Sequence, residues 1–136
     1  MIRPMTAADT PAVRALQTHL VYADPDLVEA AVDGPFHGRV AVDDGPVGYA
    51  IAFPGSPANL SELAVAPEHR RCGHGRALVE AAIVAVGAEG ETIAVTTPAD
   101  DTAARRFYTA IGFEPDGRLP GFYSDGADAL RFVRRE

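Results

Sequence analysis

The pattern of apolar and polar residues alternates along this chain between the helical period and the two-residue period of a strand. Apolar residues at 13, 16 and 20 share one stripe of a helix that begins at Pro11, and a second short helix follows until Gly34 ends it. Two alternating segments then flank Asp44-Gly45, a turn signal typical of a hairpin. Strands are expected at 2–5, 39–43, 47–53, 60–65, 92–97, 113–115 and 129–133, and helices at 11–20, 24–32, 75–86 and 102–111.

The order strand, helix, strand over residues 60–97 predicts a right-handed crossover, so the two strands should be parallel neighbours. On the first of them, Leu63 and Val65 should share one face, with Leu60, Glu62 and Ala64 on the other. The elements add up to an α/β (α+β) fold on a mixed sheet. A length of 136 residues suits a single domain, 1–136.

The turn within Leu60–Val79 carries the clearest chemical signal. A strand ends near Pro67, the chain crosses an Arg- and Gly-rich turn, and a helix opens at once. The first N–H groups of a helix lack intrahelical partners and the helix dipole is positive there, which favours an anion by roughly 0.3–2 kcal/mol. Gly73 and Gly75 allow a ligand to approach the backbone closely, and three arginines flank them. The turn is therefore predicted to hold phosphate.

The amino-acid composition limits the cellular compartment and the classes of binding partner that are expected. The chain has twelve arginines, no lysine and nineteen acidic residues, which gives a net charge of −7. This charge opposes binding to nucleic acid or an anionic membrane and favours binding of amines. The absence of lysine fits either adaptation to high salt or a GC-rich genome. With one cysteine, no apolar leader and no apolar span, a cytoplasmic protein is expected. His19, His37 and His69 show no metal-ligand spacing with that cysteine, so no metal site is predicted.

Two motifs resemble the signatures of the GNAT superfamily of acyl-CoA-dependent N-acetyltransferases. The first is Arg/Gln-x-x-Gly-x-Gly/Ala after a strand ending in Leu-x-Val-x-Pro, here the sequence from Leu63 to Leu78. The second is Asn-x-x-Ala-x-x-x-Tyr-x-x-x-Gly-Phe, here from Asp101 to Phe113. Gly121-Phe122-Tyr123 followed by Asp128-Ala129-Leu130 is similar to the ribosomal-protein N-terminal acetyltransferase branch. The resemblance implies a mostly antiparallel sheet of six to seven strands with a splayed central parallel pair, flanked by about four helices.

The resemblance also implies that acetyl-CoA is the co-substrate. Its pyrophosphate would lie on backbone N–H groups of residues 71–76, and its pantetheine amides would pair with the backbone of Leu63 and Val65 like an added strand. A side chain at Gly75 would then block the cofactor sterically. Asp101 replaces the usual Asn, so it either contacts pantetheine or caps the helix. The implied cofactor-binding residues are Leu63, Val65, Arg70, Arg71, Cys72, Gly73, His74, Gly75, Arg76, Asp101, Ala104 and Tyr108.

For catalysis, the resemblance gives Tyr108 the role of protonating the departing thiolate; the alternative is a core aromatic beside Phe107. Glu62 is the only carboxylate in the motif strand and is the candidate base, with a solvated strand carboxylate as the alternative. A backbone N–H near Val65 would hold the oxyanion. Tyr22, Phe36 and Tyr123 are candidate acceptor-binding residues.

The activity implied is direct transfer of an acetyl group to a primary amine, either a small amine or a peptide N-terminus, in a ternary complex. The alternative is a catalytically silent GNAT-like module that binds acyl-CoA as a sensor or partner subunit. A nucleotide-binding domain is disfavoured because Gly-x-x-x-x-Gly-Lys-Ser/Thr is absent from the sequence. A homodimer is compatible with the sequence, which fixes no oligomeric state.

Overall fold

The computed structural model of the chain describes residues 1–135, in which seven strands form one sheet with helices on both faces. Short 3₁₀ turns at Ala7–Asp9 and Pro67–His69 precede the first and third helices. The strands are β1 (Ile2–Pro4), β2 (His37–Val42), β3 (Pro46–Phe53), β4 (Ala58–Val65), β5 (Ile93–Pro98), β6 (Glu114–Leu119) and β7 (Ala129–Arg134), and the helices are α1 (Thr10–Gln17), α2 (Asp26–Asp33), α3 (His74–Ala85) and α4 (Thr102–Ala110).

The sheet has the strand order β1-β2-β3-β4-β5-β7-β6. Within residues 1–135, β4 and β5 are the parallel pair, and the other neighbours run antiparallel. The predicted hairpin joins β2 and β3 through Asp44 and Gly45, which both have positive φ. The prediction of a mixed, mostly antiparallel sheet is therefore confirmed.

The central parallel pair separates along its length. β4 and β5 pair from Ala58 with Ile93 to Leu60 with Val95, and the register stops there. Residues 61–65 of β4 then keep β3 as their neighbour among the described strands, while residues 96–98 of β5 keep β7. We call the resulting gap between 61–65 and 96–98 the notch. It is the predicted splay.

A bulge at Ser61 changes which residues of β4 share a face. Glu62 pairs with Ile51 and Leu60 pairs with Ala52, so Ser61 is the extra residue. Leu60 belongs to the core on the α3 and α4 face, whereas Ala64 belongs to the core on the α1 and α2 face. The prediction that Leu60 shares a face with Glu62 and Ala64 is therefore wrong, because it assumed unbroken alternation.

Two apolar cores hold the sheet between its helices. On one face α3 buries Leu78 and Val79 completely, each contributing about 1.5–3 kcal/mol by removal from water. On the other face Val13 and Val28 bring α1 and α2 onto β3. None of the helices in residues 1–135 combines the length and the apolar character needed to cross a bilayer.

Asp9 is a buried carboxylate that ties β1 to the start of α1. Its two oxygens accept hydrogen bonds from the Arg3 guanidinium, at 2.8 Å each, and Oδ2 also accepts from the Thr6 N–H at 2.8 Å. The hydrogen bonds from Arg3 lower the pKa of Asp9 to about 2. The ionised form of Asp9 is therefore part of the native structure.

Asp9→Asn should lower the free energy of unfolding near pH 7 by about 2 kcal/mol, because the carboxylate with a depressed pKa is lost. Since the folded pKa lies below the unfolded value of about 3.9, the Asp9 contribution is complete above that value and is lost as the pH falls toward 2. Denaturant unfolding of both proteins should show a difference that shrinks to less than half at about pH 2.5. An equal difference at both pH values would contradict this account.

Candidate active site

The turn between β4 and α3 presents a run of free backbone donors. Arg71 and Gly73 have φ of 63° and 84°, and Gly73 is the N-cap of α3. The first helical hydrogen bond runs from the Ala77 N–H to the Gly73 carbonyl at 3.0 Å. No backbone carbonyl within residues 1–135 accepts from the N–H groups of residues 71–76. Six successive donors and the positive end of the α3 dipole are therefore available to an anion.

Three exposed arginines, Arg70, Arg71 and Arg76, give this turn positive charge. The Nε of Arg70 donates to the carbonyl of Val65 at 3.0 Å, which closes the turn onto the end of β4. Cys72 is exposed, and its Sγ lies 3.5 Å from the Arg70 carbonyl. Residues 70–76 therefore form one cationic surface directly after the notch.

Gly75 has a packing role that sequence reasoning missed. A Cβ at this position would lie 3.0 Å from the ring of Phe107, so the missing side chain lets α3 approach α4. A side chain at Gly75 would therefore press on Phe107, and the clash with the cofactor that the resemblance implies stays a separate prediction. At Gly73 a Cβ would have no neighbour within 4 Å among the described residues. Glycine is favoured there by its φ alone.

Tyr108 projects from α4 into the apolar core, and 6% of the residue is exposed. Its ring packs edge-on to Phe113 at 5.3 Å between centroids and is tilted against Phe132 at 6.4 Å. The hydroxyl donates to none of the residues that the structure describes. Burial raises the pKa of Tyr108, and the Asp101 carboxylate adds to the shift. The phenol therefore keeps its proton at neutral pH, as an acid must.

Asp101 caps α4. Its Oδ1 accepts a hydrogen bond from the Ala104 N–H at 3.0 Å, an arrangement that stabilises a helix by about 0.5–2 kcal/mol. Of the two roles expected for Asp101, the structure shows the cap. Burial also raises the pKa of Tyr123, with a further contribution from Asp101. The start of α4 and the loop at 120–128 are therefore electrostatic neighbours.

Glu62 is buried on the α1 and α2 face, with 7% of the residue exposed. Its Oε1 accepts from Gln17 Nε2 at 2.9 Å and from the Tyr49 hydroxyl at 2.8 Å, and its Oε2 accepts from the Asp24 N–H at 2.7 Å. The alternative of a solvated carboxylate is therefore wrong. Glu62 instead anchors the end of α1 and the connection to α2 onto the middle of β4.

Gln17 and Tyr49 are site residues that sequence reasoning missed. Gln17 stands on the same stripe of α1 as Val13, so it is a polar residue on a core face, which signals a buried hydrogen bond. Tyr49 carries a hydroxyl in the middle of the otherwise apolar β3. Burial raises the pKa of Tyr49, and the Glu62 carboxylate adds to the effect, so the tyrosine remains a donor.

Tyr22 and Tyr123, both half-buried, come together between the α1–α2 connection and the loop at 120–128. Their rings stack with centroids 3.7 Å apart and planes 7° apart. The Tyr22 hydroxyl donates to Asp125 Oδ2 at 2.7 Å, and this hydrogen bond raises the pKa of Tyr22 to about 12. The α1–α2 connection therefore touches the loop before β7. Phe36 does not join this pair, because it packs against Phe53 at 4.8 Å.

The notch connects the two halves of the site. Tyr108 belongs to the core on one face of the sheet, Glu62 is bonded to groups on the other, and β4 has lost β5 as a neighbour beyond Leu60. The cationic turn follows at the same end of β4. An extended anionic thioester can therefore place its phosphate on the turn and its reactive end in the notch.

Comparison with known proteins gives a consistent picture. Residues 35–115, which contain the notch, the turn and both motifs, match the family described as acetyltransferase (GNAT) domain. The chain is 40% identical to a mycothiol acetyltransferase of Clavibacter sepedonicus over 72 residues, or 53% of this chain and 23% of that protein. It is 37% identical to N-alpha-acetyltransferase 30 of Homo sapiens over 73 residues, or 53% of this chain and 20% of that protein. The matched segment thus spans less than about a quarter of either relative.

The whole fold also has a counterpart among solved structures. The ribosomal-protein-S18-alanine N-acetyltransferase from Escherichia coli superimposes with a TM-score of 0.80 at 23% identity, over 98% of this chain and 92% of that one. The fold expected from the two motifs is therefore confirmed.

Glu62→Gln should lower the free energy of unfolding by about 1–3 kcal/mol, because the amide turns an NH₂ donor toward one of the three donors that now meet the carboxylate. Chemical denaturation at pH 7 measures this loss. Glu91→Gln is the matched control, since Glu91 is exposed ahead of β5, and it should change stability by less than about 0.5 kcal/mol. Equal losses in the two variants would show that the buried hydrogen bonds are not what holds Glu62.

Proposed function

The chain belongs to the acetyltransferase (GNAT) domain family, and from that premise we propose that it transfers an acetyl group from acetyl-CoA to a primary amine. The observation that carries the proposal is the run of free N–H groups at residues 71–76, placed directly after the notch. A run of free N–H groups can bind a pyrophosphate, and the gap between the strands can hold the extended thioester part of acetyl-CoA. Both lie at the same end of β4.

Acetyl-CoA would bind in an extended form along β4. The pyrophosphate accepts hydrogen bonds from the turn, with charge from Arg70, Arg71 and Arg76. The pantetheine amides then take the place that β5 leaves beside residues 61–65, near Leu63 and Val65. Because Arg70 already donates to the Val65 carbonyl, the Val65 N–H is the group of that residue left for the cofactor or the oxyanion.

The proposed reaction needs two proton transfers, and they take place on opposite faces of the sheet. The amine nitrogen attacks the thioester carbonyl, a C–N bond forms, and a backbone N–H near Val65 stabilises the oxyanion. Glu62 takes the proton of the amine, directly or through water, on the α1 and α2 face. The C–S bond then breaks, and Tyr108 gives its proton to the leaving thiolate on the other face.

The acceptor would enter between the α1–α2 connection and the loop at 120–128. The stacked rings of Tyr22 and Tyr123 form an aromatic wall there, and Asp125 supplies negative charge that favours a cationic amine. The two relatives above are named as a mycothiol acetyltransferase and an N-alpha-acetyltransferase. We therefore compare two acceptor classes for this chain, a small amine and a peptide N-terminus.

Calorimetry should show micromolar binding of CoA to the parent protein and at least fivefold weaker binding to Gly73→Ala. Alanine at φ 84° is strained by about 1–2 kcal/mol, and relief of that strain moves the N–H groups of the turn. Gly87→Ala is the matched control at the other end of α3, because Gly87 has φ 69° and the same open surroundings. Equal weakening in both variants, or no binding by the parent, would refute the cofactor placement.

Release of free thiol from acetyl-CoA, measured with a panel of small amines and peptides, tests the activity itself. At least one primary amine should be acetylated, and Tyr108→Phe should reduce kcat by about 10²–10⁴-fold with unchanged CoA affinity, since the ring keeps its packing. An unchanged kcat would remove Tyr108 from the mechanism. CoA binding with no turnover of any acceptor would favour the silent acyl-CoA sensor instead.

A further inference from the structure

Two histidines, one just before the cationic turn and one within it, meet an aspartate from the β2–β3 hairpin. The ligating atoms of Asp43, His69 and His74 all lie within 4.8 Å of one another, and His69 Nδ1 is 3.8 Å from Asp43 Oδ2. We propose that these three side chains bind a divalent transition-metal ion of the zinc class. The inference goes beyond the proposed acetyltransferase activity and does not depend on it.

The fold brings the three side chains together through short backbone hydrogen bonds. The Ala66 N–H donates to the Val47 carbonyl at 2.8 Å, which fixes the end of β4 beside the start of β3. The His69 N–H donates to the Ala66 carbonyl at 2.9 Å and closes the 3₁₀ turn, while the Asp43 N–H donates to the Gly45 carbonyl at 2.9 Å and closes the hairpin. The backbone at both ends of the cluster is therefore held in place.

The donor set and its spacing suit zinc. Two imidazole nitrogens and one carboxylate oxygen are common zinc ligands, with bonds of about 2.0–2.2 Å, so two ligands of one tetrahedral ion lie about 3.3–3.6 Å apart. The pair His69 and Asp43, at 3.8 Å, is within about 0.5 Å of that spacing. The other ligand distances are at most 4.8 Å, and movements of about 1 Å by half-exposed and exposed side chains bring them to it. Three protein ligands leave a fourth position for water.

Local charge both favours and opposes the ion. Asp44 and Glu68 are exposed next to two of the ligands and add negative charge, within a chain of net charge −7. Arg70 and Arg71 oppose a cation, although the Arg70 side chain is directed to the Val65 carbonyl. Bound metal would link the hairpin to the first residue of α3 and stabilise the folded state.

The test uses the untagged chain after treatment with EDTA, titrated with Zn²⁺ in a calorimeter. One site per chain is expected, and the melting temperature should rise with Zn²⁺ concentration. His69→Ala, His74→Ala and Asp43→Asn should each weaken binding at least tenfold. The Asp43 side chain is 65% exposed, so Asp43→Asn tests the site with little risk to folding.

Two controls separate this site from unspecific binding. His19→Ala removes an exposed histidine outside the cluster, and Cys72→Ser removes the only thiol, which lies in the same turn. Both should bind Zn²⁺ within about twofold of the parent. Parent-like binding by the His69 and His74 variants, or a loss in Cys72→Ser as large as theirs, would overturn the proposal. Bound Co²⁺ gives a second readout, because a thiolate charge-transfer band would assign the ion to Cys72 instead.

Discussion

The site depends on the loss of pairing between β4 and β5 after Leu60 and Val95. A strand that gives up one neighbour in the middle of a sheet leaves N–H and C=O groups that need other partners. Here β3 keeps β4 in the sheet and β7 keeps β5, so the gap opens without loosening either strand. The two cores outside the gap bear the stability of the domain. The fold can therefore keep a backbone edge open at its centre, where a ligand can complete it.

The bulge at Ser61 determines the face of the sheet to which the Glu62 side chain points. With unbroken alternation from Leu60, Glu62 would point to the same face as Leu60, into the core that contains Tyr108. The extra residue turns Glu62 to the opposite face, where Gln17 and Tyr49 can bond to it. One inserted residue thus separates a carboxylate from a phenol across a single strand. In the proposed reaction, an acyl acceptor and an acyl donor would then approach from different faces without competing for space.

The sequence predicted the order of elements, the parallel pair and the turn of free N–H groups, because each has a local signal in periodicity, glycine placement or motif spacing. The polar edge strand β6 was predicted too short, since its residues are mostly exposed and show no alternation. The bulge at Ser61 was missed because the prediction assumed unbroken alternation from Leu60 to Ala64, and the three-residue step from Leu60 to Leu63 on one face was not used. The Gly75–Phe107 contact and the partners of Glu62 join residues from different elements, so only the folded chain shows them.

The cluster of Asp43, His69 and His74 also joins residues from different elements, so the sequence did not predict it. Spacing rules for metal sites assume ligands from one short motif, whereas these three come from a hairpin, a 3₁₀ turn and a helix start. His74 also belongs to the run of free backbone donors, so its N–H would serve the proposed anion site and its imidazole the proposed metal site. If both ligands bind, holding this residue in place for one of them would also position it for the other. Linkage would then require the metal ion and the phosphate to change each other's affinity by the same factor.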